Sequence, residues 1–297
     1  MGARRETTDV TDKLAEVAAK AAVLIEALPW LKRFNGATVV IKYGGAAMKE
    51  ERLQDSFSRD ITLLSLVGLR PVVVHGGGPE LTRILGRLGI ETRFVDGHRV
   101  TDAATADVAQ MVLSGRINKD LVARLVRAGS RAVGLSGADA GLLTVRRHVP
   151  DGHDIGFVGL PESVDPSILR TLLDNGFVPV ISSTADGPGD QVHNVNADLV
   201  AAAVAVALKA QKLVYLTDVS GVMVDGAVKS RLTPPEVAAL INSGEVTGGM
   251  IPKLETAVQS LQAGVGQVHL IDGRVEHSLL IEVFTDLGLG TLVHHGG

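Results

Sequence analysis

At 297 residues the chain is long for one core and short for three, so one large domain or two lobes is expected. Apolar residues make up 45%, mostly Ala, Val and Leu, which suffices for a buried core. The 29 basic and 33 acidic residues give a net charge of −4 with no single-sign block, so nucleic-acid binding has no electrostatic support. The absence of Cys excludes disulfides and thiolate metal sites. MGARRETTDV lacks the apolar stretch of a signal peptide, and Glu6 stands where N-myristoylation following Gly2 needs Ser or Thr. The longest apolar run, Leu199–Leu208, is about half a membrane span. A soluble, cytoplasmic protein is expected.

Residues 1–10 are polar. From Asp12 to Leu28, apolar residues Leu14, Val17, Ala18, Ala21, Leu24, Ile25 and Leu28 fall at helical spacing, and Pro29 marks the expected end. Strand, glycine turn and helix then alternate. Thr38–Tyr43 is an apolar strand ending in Gly44-Gly45, followed by a helix over about Arg52–Val67. Pro71–His75 is a second strand ending in Gly76-Gly77-Gly78, followed by a helix over about Glu80–Leu88. Arg93–Val100 reads as irregular or a hairpin. Further along, strands are expected at Phe177–Ile181, Lys212–Thr217 and Val268–Ile271, with helices at Ala197–Leu208, Pro235–Ile241 and Leu254–Leu261. The pattern predicts a three-layer α/β/α fold with two lobes around one mainly parallel sheet. Asp186–Asp190, rich in Gly and Pro, is the expected lobe boundary, dividing 34–185 from 186–297 after an N-terminal extension at 1–33.

Two strands end in glycines, which let a ligand approach backbone amides where the next helix begins. Each turn alone reads as a tight connection. Two at equivalent places leave phosphate or carboxylate binding open beside that plain reading. The Walker pattern is absent, and GGGPELTRILG does not fit the dinucleotide fingerprint. Lys42 closes a buried strand beside Gly44-Gly45, where a solvated strand end is the ordinary alternative. Lys253 sits in a helix's first turn, where it opposes the helix dipole. In His193–Asp198, either Asn196 or Asp198 would serve as an N-cap, but Asn194, Asn196 and Asp198 together exceed what a cap needs. Arg99 suits a carboxylate, although a lone loop Arg is more often a surface residue.

The segments VIKYGG, VVVHGGGP, GHRVT, HNVNAD, LTDVSGV and GGMIPKL, in this order and at about these separations, resemble the acetylglutamate kinases of the amino-acid kinase family over residues 12–293. That resemblance implies ATP-dependent phosphorylation of the γ-carboxylate of N-acetyl-L-glutamate, a step of arginine biosynthesis. It implies that Lys42 and Lys253 flank the transferring phosphoryl group and that Asp198 holds both ammonium groups. Amides at Gly45 and Gly77 would contact phosphate and the attacking carboxylate. Gly77, Gly78, Arg99 and Asn194 would bind acetylglutamate. Gly44, Gly45, Gly76, Asn196, Thr217, Asp218, Gly221, Met223 and Gly249 would contact phosphates or nucleotide, with Glu245–Thr247 nearby. Mg²⁺ would arrive with ATP, so no dedicated metal site is expected. One departure is Ala46, where the family usually carries Asn, which removes a polar group near the phosphates.

The arginine-inhibited members resemble this chain in their N-terminal helix, which joins dimers into a hexamer, a trimer of dimers. They also share a C-terminal pattern matched by His277, Glu282, Phe284, Thr285, Gly288, Gly290 and Thr291, which would receive L-arginine. A helix that merely caps its own subunit is the alternative. Binding of a PII-type regulator is not readable. The rivals are a kinase acting on carrier-bound aminoadipate or glutamate, which often lacks that helix, and a non-catalytic arginine or nucleotide sensor, against which intact Lys42, Asp198 and Lys253 argue.

Overall fold

A computed structural model describes residues 17–18, 21–22, 25–285 and 288–296, apart from the side chain of residue 46. The expectations for Leu14, Leu24 and the side chain of Ala46 lie outside the described residues. The first described element, α1, is helical at 25–34. It runs past Pro29 because its last turn is anchored: Phe34 is buried, Trp30 stacks on it at 6.1 Å, and both join the core beneath. Burial of two aromatics outweighs the hydrogen bond that Pro29 cannot make.

The remaining elements follow in chain order. They are β1 (Thr38–Tyr43), α2 (Glu51–Leu66), β2 (Arg70–His75), α3 (Gly78–Arg87), β3 (Phe94–Val95), β4 (His98–Arg99), α4 (Ala103–Gln110), α5 (Asn118–Arg127), β5 (Ala132–Leu135), β6 (Leu143–Arg147) and β7 (Val158–Val164). Then come α6 (Ser167–Asp174), β8 (Val178–Ser182), β9 (Thr184–Gly187), β10 (Gln191–Val195), α7 (Ala197–Leu208), β11 (Lys212–Thr217), β12 (Met223–Val224), β13 (Ala227–Val228), β14 (Arg231–Leu232), α8 (Pro234–Asn242), α9 (Met250–Gln262), β15 (Gln267–Asp272), α10 (Ser278–Phe284) and β16 (Gly290–Val293).

Eight strands form one sheet in the order β14-β16-β15-β11-β1-β2-β8-β5. Every neighbouring pair is parallel except β15 and β16. The expected mainly parallel sheet with helices on both faces is therefore present. Alternation along β1 assigns the faces: Val40 joins the core under α7 and α9, while Val39 and Ile41 join the core under α2 and α5. The apolar run at Ala197–Leu208 packs on the first of these faces, and being Ala/Val-rich all round it is buried rather than amphipathic.

Two features depart from the sequence pattern. α4 and α5 are joined without a break by a π-helical turn over Met111–Ile117. β6, β7, β9 and β10 make a second, four-stranded sheet. Asp186–Asp190 lies in the hairpin between β9 and β10. Among the described residues, no helix is long and apolar enough to cross a membrane.

Candidate active site

The carboxyl ends of β1 and β2 are adjacent and in register, with Tyr43 opposite His75, so their glycine turns lie side by side. Gly44, Gly45, Gly76, Gly77 and Gly78, together with Lys42, line a cleft of about 850 Å³. Its wall also carries Lys49, Arg83, Arg116, Arg124 and Arg127 against Glu80 and Asp120, a lining that is basic on balance, with Glu80 pairing Arg83 and Arg116. Gly45 has φ +64°, and a Cβ there would overlap the Asp218 carboxylate at the end of β11. Glycine is required here both for the left-handed backbone and for the close approach of the next strand's end.

Lys42, Asp198 and Lys253 come from three elements and meet at one point. Lys42 Nζ is 3.1 Å from Asp198 Oδ1, and Lys253 Nζ donates to Asp198 Oδ2. Asp198 stands in the first turn of α7, where the helix dipole favours an anion. Burial pushes its carboxyl up, but the Lys42 and Lys253 ammonium groups outweigh burial and hold it below the usual carboxylate range. Asn196 takes the plain role in this segment: it is the N-cap, and its Oδ1 accepts from the Asp198 N–H at 2.8 Å. One carboxylate thus fixes two cations beside two glycine turns that present backbone amides. Such an arrangement can neutralise charge that spreads over a transferring phosphoryl group.

Arg99 is buried rather than exposed. Its guanidinium donates to Gly78 O at 3.1 Å and Thr82 Oγ1 at 2.8 Å, which ties the β4 strand to the first turn of α3. Asn194 lies on β10 opposite Val158 and Thr184, in the second sheet. On the other side, Thr217 is held at the end of β11 by bonds to Val219 O and Ile271 O. Gly221 backs onto Thr291, whose hydroxyl accepts from Val222 N–H. Met223 is exposed on β12, and Gly249 is the N-cap of α9 ahead of Lys253.

The residues of the C-terminal group have separate partners. His277 faces α2: its Nδ1 is 2.6 Å from Asp60 Oδ1, and its backbone N–H donates to Ser56 Oγ at 2.8 Å. The histidine that meets Glu282 is His269 on β15, with Nδ1 2.6 Å from Oε1. Lys212 Nζ stands 3.3 Å from the other ring nitrogen. Glu282 also accepts from the Leu289 N–H at 2.8 Å, one residue from Gly288, whose φ is +51°. Gly290 opens β16, where a Cβ would overlap the Leu270 carbonyl, so the sheet itself requires glycine there.

Sequence reasoning passed over several polar residues: His75, Ser114 and Asn118 behind the second glycine turn, and Lys212 and His269 beside Glu282. A signal existed for the π-turn. Ala109, Leu113, Ile117, Leu121 and Leu125 are all buried and recur every fourth residue. In an ideal α-helix that spacing drifts by about 40° per step, so one face stays buried only if the helix is locally underwound.

The model of the amino acid kinase family matches residues 37–272, most of the chain and nearly the whole of this framework. The chain belongs to the amino acid kinase family. It is 53% identical over 284 residues to the acetylglutamate kinase of Symbiobacterium thermophilum, an alignment covering 92% of this chain and 97% of that one. The acetylglutamate kinase of Nostoc punctiforme is also 53% identical over 280 residues, with 93% of each chain covered. Among solved structures, N-acetylglutamate synthase from Neisseria gonorrhoeae, complexed with coenzyme A and N-acetyl-glutamate, superposes with a TM-score of 0.84 at 30% identity. That match covers 93% of this chain but only 64% of the synthase chain. Carbamate kinase from Giardia lamblia bound to AMP-PNP aligns at 19% identity and TM-score 0.61, over 88% of this chain and 99% of that chain, which supports the fold alone.

Proposed function

We propose that the protein is an acetylglutamate kinase, transferring the γ-phosphoryl group of ATP to the γ-carboxylate of N-acetyl-L-glutamate. The observation that carries the chemistry is the pairing of Lys42 and Lys253 through Asp198 beside the two glycine turns. The names of relatives at about 50% identity over nearly the whole chain support the substrate. A carboxylate oxygen attacks the γ-phosphorus, the bond to the β,γ-bridging oxygen breaks, and ADP departs. The acceptor is already an anion, so no proton has to be removed. Lys42 and Lys253 neutralise the equatorial oxygens, and Asp198 keeps the two cations apart and aimed. The Gly45 and Gly77 amides receive phosphate and carboxylate oxygens, with Gly44 and Gly76 allowing the approach. Gly78, Arg99 and Asn194 hold the rest of the substrate. The nucleotide lies along Thr217, Asp218, Gly221, Met223 and Gly249, with Asn196 presenting Asp198.

Asp198 is engaged by both lysines. Mg²⁺ enters on the ATP phosphates and needs few direct protein ligands. Residues 34–185 and 186–297 act as the acetylglutamate and ATP lobes. L-Arginine binds at His277, Glu282, Gly288 and Gly290, with His269 and Lys212 beside Glu282. A solved neighbour, the gonococcal synthase complexed with coenzyme A and L-arginine, supports an arginine role on this fold. The assembly is a hexamer in the cytoplasm.

A coupled assay of ADP release with N-acetyl-L-glutamate, glutamate and aminoadipate tests the reading. Turnover is expected with acetylglutamate far above the other two. Good turnover of another acid with none of acetylglutamate would reject the assignment.

A further inference from the structure

His75 is the last residue of β2 and is fully buried, immediately before the three glycines. Its Nδ1 lies 2.9 Å from the carbonyl oxygen of Gly76, which can only accept, so Nδ1 carries the proton. Its Nε2 lies 3.1 Å from Asn118 Nδ2, which can only donate, so Nε2 is the acceptor. The Asn118 amide is itself oriented by its neighbours: Nδ2 also donates to Val180 O at 2.9 Å, and Oδ1 accepts from Lys119 Nζ at 3.1 Å. Each donor thus meets an acceptor only when the imidazole is neutral with its proton on Nδ1. Burial drives the pKa of His75 down to about 4, in keeping with that form.

The consequence falls on the next peptide. A trans peptide unit is planar, so its carbonyl and its N–H point in opposite directions. Gripping the Gly76 carbonyl from within the sheet therefore turns the Gly77 N–H away from the core and toward the cleft that Gly77 lines. A peptide between two glycines has no Cβ on either side to resist rotation, so a specific bond is needed to select one orientation.

The π-turn backs the same peptide. A Cβ on Gly77 would overlap Ile117 Cδ1 and lie 2.7 Å from Leu113 Cδ2. The underwound turn and the first residue of α5 together present four residues to this edge of the sheet. Leu113 and Ile117 close on Gly77, Asn118 reaches His75, and Ser114 Oγ is 2.8 Å from Ser182 Oγ and 2.7 Å from Thr184 Oγ1. π-turns of this kind recur at functional sites.

We propose that His75 is a positioning residue for phosphoryl transfer: it latches the Gly76 carbonyl so that the Gly77 amide faces the reacting carboxylate, and Asn118 fixes the tautomer that makes the latch. This rests on the reading of Gly77 as a donor to the acceptor carboxylate.

Two substitutions separate the two ring nitrogens. In His75→Asn the side-chain amide nitrogen can take the place of Nδ1 and keep the bond to Gly76 O. In His75→Gln the terminal amide oxygen can take the place of Nε2 and keep the bond from Asn118 while giving up the latch. After wild-type turnover of acetylglutamate is established, kcat/KM for acetylglutamate, KM for ATP and Tm are measured for both. The expected result is that His75→Asn stays near wild type in kcat/KM. His75→Gln is expected to lose roughly 10²-fold, the loss seen when one preorganised donor is removed, with KM for ATP unchanged. Equal losses in both variants, no loss in His75→Gln, or a selective loss in His75→Asn would each overturn the proposal. Should the variants not fold, ¹⁵N NMR of the wild-type imidazole decides: the Nδ1–H tautomer at pH 7 supports the latch and the Nε2–H tautomer overturns it. If the wild type does not turn over acetylglutamate, the functional reading falls, while the tautomer measurement still judges the latch.

Discussion

Asp198 keeps its charge in a place where burial opposes charge. Two ammonium groups are the reason, and they depend on it in turn, since without it two like charges would face each other in a confined space. Lys42→Ala and Lys253→Ala are each expected to depress kcat by roughly 2–4 kcal/mol of transition-state stabilisation, with much smaller effects on acetylglutamate binding. Steady-state kinetics check this, and a near-normal kcat in either variant would refute the role. His75 offers a second test at this scale. Its pKa falls from an ordinary 6.5 to about 4 in the folded chain, so between those values the unfolded chain binds more protons. Stability contributed through this group is therefore complete above pH 6.5 and is lost as pH falls toward 4, with a loss of about 2 kcal/mol by pH 5. The stability difference between wild type and His75→Asn, read from urea midpoints, should narrow by about that amount between pH 7 and pH 5.

At the scale of elements, the helix from Ala103 to Arg127 decides how the second glycine turn is held. Its π-turn keeps Ala109, Leu113, Ile117, Leu121 and Leu125 buried along one side despite their four-residue spacing. Gly77→Ala would push a methyl into Ile117 and Leu113, whose side-chain ends can yield only by disturbing that packing. The expected cost is about 1–3 kcal/mol of stability. Pairing it with Ile117→Val, which removes the overlapping methyl, should recover part of that loss. A double-mutant cycle in urea reads the coupling, and strictly additive effects would show that the π-turn does not bear on Gly77.

For the whole molecule, the question posed by the fold is what covers α1. Trp30 and Phe34 anchor its end to the core, yet Ile25 and Leu28 remain 68% and 41% exposed. An apolar stripe of this kind on a helix outside the sheet fits contact with a second subunit. The chain is therefore expected to be hexameric and inhibited by arginine. Because arginine can bias lobe opening only by binding one state more tightly, losing the helix should uncouple it. Deleting residues 1–33 should give active dimers without most of the arginine sensitivity. Light scattering and rates with added arginine check this. A full-length protein that is dimeric and indifferent to millimolar arginine would reject it, leaving the kinase assignment in place.

What the sequence determined by itself is local. Continuous apolar runs ending in glycine marked β1 and β2, an apolar run marked β11, and the Ala/Val-rich run marked α7 to the residue, because strand and helix periodicities and glycine turns act over a few neighbours. Lys253 stood out because it opposes a helix dipole, Lys42 because it abuts a glycine turn, and Asp198 because Asn194 and Asn196 beside it exceed what a cap needs. Tertiary structure decided the rest. α1 runs beyond Pro29 because two aromatics find a core that lies elsewhere in the chain. The four-stranded second sheet depends on pairings between distant segments. Glu282 meets His269 because β15 and α10 are brought together by the sheet, while His277 meets Asp60 on α2. His75 reads in sequence as one polar residue at the end of an apolar strand. Only the fold sets Asn118 against one of its nitrogens and the Gly76 carbonyl against the other, because a hydrogen bond depends on the position of both partners and sequence gives the position of neither.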